Sequence, residues 1–321
     1  MSARVETWRG SLAAWLERYA IWIVLLFLFI TAASLSEAFL RPIYIFNVVR
    51  QVAPVGIAAI GVTMVMIMGG VDLSVGAIIS LGAVFAAVLM DGEPGNIPLA
   101  CAATMLMGAG VGAANGVLIA YNRISPFILT LGMAVVITGI TQIFSGGTAR
   151  GIVAPGFREF FNFRVGGLAP VLGFVFLGMA VVGIWIQRAT RFGRGLYLIG
   201  SNKEAARLSG LPIARATIAA YAVSGLFAGF AGLALLARSG VSSTFAGRGF
   251  EFDVLAAVML GGTTFEGGRG GIGGTIAGVF VLVVAFNLVN ILGLSYYAQL
   301  IVKGAIIILA SAAYGYLKEL R

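Results

Sequence analysis

Ten apolar runs, joined by short polar connections, constrain this chain more than any other feature. They occupy residues 19–35, 52–68, 75–90, 97–121, 127–144, 168–186, 217–236, 254–261, 272–292 and 298–316. Such runs are driven out of water, and in hydrocarbon a backbone must satisfy its own polar groups, which a helix does within one segment. At about 20 apolar residues per crossing, the 321 residues are taken up by roughly ten helices and their connections. Composition agrees: 60% of residues are hydrophobic and 10% charged, against roughly a quarter charged in soluble domains. Mean hydropathy is +1.03. The expectation is an all-α membrane protein, one transmembrane domain over residues 1–321, with short or broken helices in places and no second water-soluble domain.

The chain has no histidine, and its one cysteine, Cys101, sits inside an apolar run. Metal sites built from Cys and His, and disulfide frameworks, are thereby excluded. The net charge of +9 lies in short loops, where it reads as a topology signal and not as a nucleic-acid surface. With the N-terminus in the cytoplasm and all ten runs crossing, cytoplasmic segments hold 13 of the 21 Lys and Arg, seven fall outside, and Lys303 lies within the last run. The basic connector 188–216 decides this orientation, with Arg188, Arg191, Arg194, Lys203, Arg207 and Arg215. Both termini then face the cytoplasm. Val5, Trp8, Leu12, Trp15 and Tyr19 recur at helical spacing ahead of the first run. Residues 1–18 are read as a helix lying in the membrane interface, not as a cleavable leader.

Two runs are too short. Residues 254–261 would make about 12 Å of helix against a hydrocarbon core of about 30 Å, and 75–90 is also brief. Each adjoins a glycine pair, Gly69-Gly70 or Gly261-Gly262. Backbone that leaves helical geometry at membrane depth must be buried in protein or line a watery cavity. Short, glycine-broken segments in matching places of two halves point to a transport pathway. The stretch Val65-Met66-Ile67-Met68-Gly69-Gly70 echoes Ala257-Val258-Met259-Leu260-Gly261-Gly262, as two related halves would, although membrane sequences also match by chance. Gly108, Gly112 and Gly116, Gly225 and Gly229, and Gly270, Gly274 and Gly278 recur every fourth position, the spacing of close helix packing in lipid.

Chemistry-bearing motifs are few. The match of Gly268-Arg269-Gly270-Gly271-Ile272-Gly273 to a dinucleotide fingerprint is accidental, because unbroken membrane sequence follows it. No lysine follows a glycine, so the phosphate-cradling loop of nucleotide hydrolases is absent. No catalytic constellation is expected. The connector is the informative segment. Ser201 and Glu204 have capping-box spacing, while Gly210 and Pro212 are stop signals. Between them lies a helix of about two turns, marginal alone in water and in need of something to dock against.

Gly200-Ser201-Asn202-Lys203-Glu204-Ala205-Ala206-Arg207-Leu208-Ser209-Gly210 resembles the coupling loop of permease subunits of ribose-type ABC importers. Gly69 to Gly76, Ile124 to Gly132, Gly261 to Gly274 and Ala298 to Gly304 are similar to that family in the same order. Branched-chain amino-acid permeases share the Glu-Ala-Ala core, and the Gly-Ser-Asn and Gly-Val-Asp-Leu-Ser stretches favour the sugar branch. The resemblance implies a ten-helix permease of the bacterial inner membrane, working beside a second permease copy or paralogue. It also implies a cytoplasmic ATPase subunit that binds ATP and Mg, no cofactor in this chain, and a periplasmic sugar-binding protein. Ser201, Asn202, Glu204, Ala205, Ala206, Arg207 and Gly210 would then be the coupling residues.

Other candidates carry two readings each. Asp72 suits a helix start, where a carboxylate meets unpaired amides, and equally the cytoplasmic mouth of a pathway. Asn115, Gln142, Asn287 and Asn290 could bond sugar hydroxyls or neighbouring helices. Arg150, Arg158 and Arg164 stand among Phe157, Phe160, Phe161 and Phe163 in the outer loop 145–167, a composition of protein interfaces. They are candidates for docking the binding protein, though a loop folded on the bilayer surface fits the same residues. A secondary transporter would place carboxylates mid-span, and none falls there.

Overall fold

The computed structural model describes residues 2–122, 124–295, 297–302, 304, 305 and 308, with side chains from Tyr19 onward. Twelve α-helices follow one another: α1 Ser2–Leu35, α2 Pro42–Ile67, α3 Val75–Met90, α4 Ile97–Asn122, α5 Pro126–Ser145, α6 Pro155–Asn162, α7 Val171–Ala189, α8 Arg191–Ser201, α9 Lys203–Leu208, α10 Ile213–Ser239, α11 Phe250–Leu260 and α12 Ile272–Ile291. Residues 297–302 are helical as well. Proline opens α2, α5 and α6, where its missing N–H goes unneeded. Glycine in the left-handed region closes α5 at Gly146 and α10 at Gly240.

The core sits around α2. Every residue from Val52 to Ile67 is buried, and α2 packs against α10, α12, α7 and α11. The broadest contact joins α10 to α4. There the four-residue glycine spacing does what the sequence suggests. A methyl at Gly108 would overlap the Gly225 carbonyl, and one at Gly112 would overlap the Tyr221 carbonyl. Helices α4, α5 and α7 show large apolar side chains outward, among them Leu106, Val135, Ile143, Val181 and Trp185. In a globular protein that surface would aggregate; in a bilayer it meets its solvent.

Among the described residues six helices are long and apolar enough to cross a membrane: α2, α4, α5, α7, α10 and α12. The apolar part of α1, Tyr19–Leu35, and α3 are shorter. Helix α11, with 11 residues, is buried from Asp253 to Met259 between α12 and α2, the burial that a short helix at membrane depth requires. The first helix runs unbroken from Ser2, and the expected interfacial face of residues 1–18 lies outside the described residues. Most of the last apolar run, including Lys303, lies outside them too. The outer loop 145–167 is more ordered than a loop: it contains α6 and the first strand of a small antiparallel hairpin, β1 Arg164–Val165 paired with β2 Ala169–Pro170.

Candidate functional site: the connector and the glycine breaks

The connector folds as two helices, α8 and α9, separated at Asn202. Thr190 caps α8 by accepting from the Gly193 amide at 3.0 Å. Helical backbone continues through Ser201 and turns only at Asn202, which is extended at φ −158°. Asn202, not Ser201, is therefore the cap of α9: its Oδ1 accepts from the Ala205 amide at 2.9 Å. An N-cap needs non-helical backbone, and Ser201 is still the last residue of α8. Nor does Glu204 reach back to the cap; it meets Arg207 at 2.7 Å on the exposed surface, a pair worth little in water. Gly210, at φ +79°, ends the unit, with the Leu211 amide donating to the Ala206 carbonyl. Only Ala206 of this helix is buried; Ser201, Asn202, Glu204, Ala205, Arg207 and Gly210 are exposed. Leu208 stands 79% exposed, an apolar side chain held out on a six-residue helix.

The end of α8 is packed against the body of the protein. A methyl at Gly200 would overlap the Ile67 carbonyl at the end of α2, and the Gly268 amide donates to that same carbonyl at 2.7 Å. Gly267 in turn lies against the backbone of Gly69. Side chains add a second tie. Gln187 of α7, buried, donates through Nε2 to the Tyr197 hydroxyl and accepts from the Ile272 amide at 3.1 Å. Tyr197 donates to the Gly270 carbonyl at 2.8 Å. Burial pushes the Tyr197 phenol up, against opposing pulls from Gln187 and Arg188, so it stays protonated and able to donate. The connector, the end of α2 and the segment between α11 and α12 thus meet at one place.

The two glycine pairs end their helices in the same manner. The Gly69 and Gly70 amides donate to the Met66 and Val65 carbonyls, and the Gly262 and Thr263 amides donate to those of Met259 and Val258. Both are Schellman closures, with Gly69 at φ +85° and Gly262 at φ +89°. The backbone therefore equates Gly69 with Gly262, one residue away from the register of the sequence echo. Gly274 and Gly278 do form a close face, against the Gly261 and Ala257 carbonyls. Gly270 does not belong to it. At φ +95° it lies in the loop before α12 and packs on Thr263.

Asp72 lies in the break between α2 and α3, buried. Its Oδ1 accepts from the Ser74 amide at 3.1 Å and the Ser74 hydroxyl at 2.6 Å; its Oδ2 accepts from the Ser224 hydroxyl of α10 at 2.7 Å. Asn115 of α4 donates to the Ser74 hydroxyl at 2.9 Å, and the Leu73 amide donates to Thr130 of α5 at 3.1 Å. So Asp72 and Asn115 share one cluster that pins the break to three helices. Ser74, Ser224 and Thr130 are members that sequence reasoning missed, for nothing local marks them. The other polar candidates lie elsewhere. Asn287 donates to the Val283 carbonyl and to Gln51, and accepts from Tyr44. Asn290 is exposed and accepts from Gln299 at 2.7 Å. Gln142 stands apart on α5, its buried Nε2 without a hydrogen-bond partner among the described residues. Of the arginines, Arg150 donates to the Phe144 carbonyl at 2.6 Å, Arg158 is exposed beside Gly240, and Arg164 is tied to Asn47 at 2.9 Å and the Leu168 carbonyl at 3.1 Å.

Apolar helices long enough to cross a bilayer, a short buried helix and an exposed two-helix connector define the class as a helical membrane protein. The sequence narrows that class. Residues 44–311 match the family described as the permease component of branched-chain amino acid transport systems, and the chain belongs to that family. It is 38% identical over 304 residues to the ribose import permease protein of Escherichia coli K12, covering 92% of this chain and 93% of that one. The ribose import permease protein of Bacillus subtilis is 36% identical over 301 residues, covering 92% of each. The galactose/methyl galactoside import permease protein of Haemophilus influenzae is 34% identical over 315 residues, covering 92% of this chain and 94% of that one. No solved structure matches.

Proposed function

We propose that the chain is the membrane-spanning permease subunit of an ABC importer that carries a monosaccharide inward. In this reading ten segments cross the inner membrane and both termini face the cytoplasm. A second copy or paralogue completes the pathway, a periplasmic binding protein delivers the sugar, and a separate ATPase subunit binds ATP and Mg. The observation that carries the reading is α9. A six-residue helix cannot hold itself together in water, yet this one is capped at both ends and offers Leu208 to a partner. The end of α8 beside it touches the last residue of α2 and Gly268 of the segment between α11 and α12, so force applied at α9 would reach backbone next to both glycine breaks.

The sugar assignment leans on the names of the relatives. The family description favours a second substrate class, branched-chain amino acids. Expression with the neighbouring ATPase and receptor genes tests both readings. The ATPase should copurify, and purified receptor should bind a pentose or hexose and not leucine. Absence of any bound nucleotide-binding subunit at normal expression would sink the importer reading.

A further inference from the structure

Three guanidinium groups share one turn of α2 at the end remote from the connector. Arg50 itself lies 17 residues before Ile67, where the connector touches, or about 25 Å along the helix. Arg164 of β1 reaches Asn47 on the same turn. Arg238, next to the last residue of α10, donates to the Gln51 carbonyl at 3.3 Å. Arg50 donates to Asn162 of α6 at 2.9 Å, and Asn162 donates to the Ala237 carbonyl beside Arg238. Asn47, Arg50 and Gln51 fall within five residues of α2, so the two anchored arginines and Arg50 are gathered at one place on that helix.

The hydrogen-bond partners of all three are neutral amides and carbonyls. Among the described residues no carboxylate pairs with any of them, and the buried Nε of Arg50 has no partner at all. Arg50 also lies eight residues inside α2, about 12 Å below its first residue. A charged side chain taken partly out of water needs a counter-charge or a full set of hydrogen bonds. Three half-buried like charges, with one buried nitrogen unpartnered, have no carboxylate counter-charge among the described residues.

We propose that Arg50, Arg164 and Arg238 form a binding site for a phosphate-type oxyanion at the end of α2 remote from the connector. A carboxylate offers two oxygens; a tetrahedral phosphate offers enough to accept from three separate guanidinium forks at once. The anion reaches the site either as a free phosphate-bearing solute or as the headgroup of an anionic lipid.

The test uses the full chain, purified in a neutral detergent, with its unfolding midpoint followed against inorganic phosphate and, separately, against phosphatidylglycerol. At about 100-fold over the dissociation constant the midpoint should rise on the order of 5 °C. A saturable rise with phosphate alone assigns a free solute; a rise only with phosphatidylglycerol assigns a lipid headgroup. In the R50Q/R238Q variant, which leaves the hairpin contact of Arg164 in place, either rise should fall by at least half. Sulfate should reproduce the phosphate effect on the unaltered chain and chloride at equal ionic strength should not, a comparison that needs no variant to fold. An undiminished rise in the double variant, equal rises with chloride and sulfate, or no rise with either probe would overturn the site. So would stabilisation by the purified binding protein alone, which would make an acidic protein side chain the counter-charge.

Discussion

Asn202 shows how far residue-level reading goes. Spacing to Glu204 points to Ser201 as the cap; the structure uses Asn202, because α8 still includes Ser201. Replacing Asn202 by Ala removes a cap worth about 1 kcal/mol. ATP-dependent uptake should fall more in Asn202→Ala than in Ser201→Ala, measured at equal membrane levels. Glycine packing gives a sharper contrast. A side chain at Gly112 would strike the Tyr221 backbone, whereas nothing lies within 4 Å of Gly110 on the same helix. Gly112→Leu should cost about 1–3 kcal/mol in thermal unfolding, and Gly110→Leu close to nothing. The Asp72 cluster was not legible beyond Asp72 and Asn115, since its bonds span 41 and 152 residues.

At the scale of elements, the connector was the most legible part of the chain, because caps and stop signals are local chemistry. Helix α6 was not foreseen in the outer loop, although Pro155 at its start and Phe157, Phe160 and Phe161 at helical spacing carry the signal. The register of the two glycine breaks was misread by one residue, since Gly-Gly leaves open which glycine takes the left-handed turn. Two predictions belong here. Glu204→Arg on α9 should lower uptake at least about tenfold, the effect of roughly 1.4 kcal/mol at an interface, while leaving the chain inserted. Tyr197→Phe removes the donor to Gly270; one hydrogen bond is worth about 1 kcal/mol. Sugar moved per ATP hydrolysed should drop by a factor of about five, with basal ATP hydrolysis retained. Loss of both in proportion would mean that Tyr197 serves folding and not the linkage.

For the whole molecule, class followed from apolar runs alone, but arrangement did not. Residues 52–68 and 127–144 are both strongly apolar, yet one run lies at the centre and the other faces outward. That difference is decided by which faces find partners across the chain, information spread over hundreds of residues. Reconstituted alone in liposomes without nucleotide, the protein should not accumulate monosaccharide; rapid uptake under those conditions would contradict the importer reading. The contact of Gly200 with Ile67 and Gly268 has one last implication. The end of the second helix and the segment after the eleventh are touched by a single bare patch of backbone. A push delivered there would be felt by both segments at once.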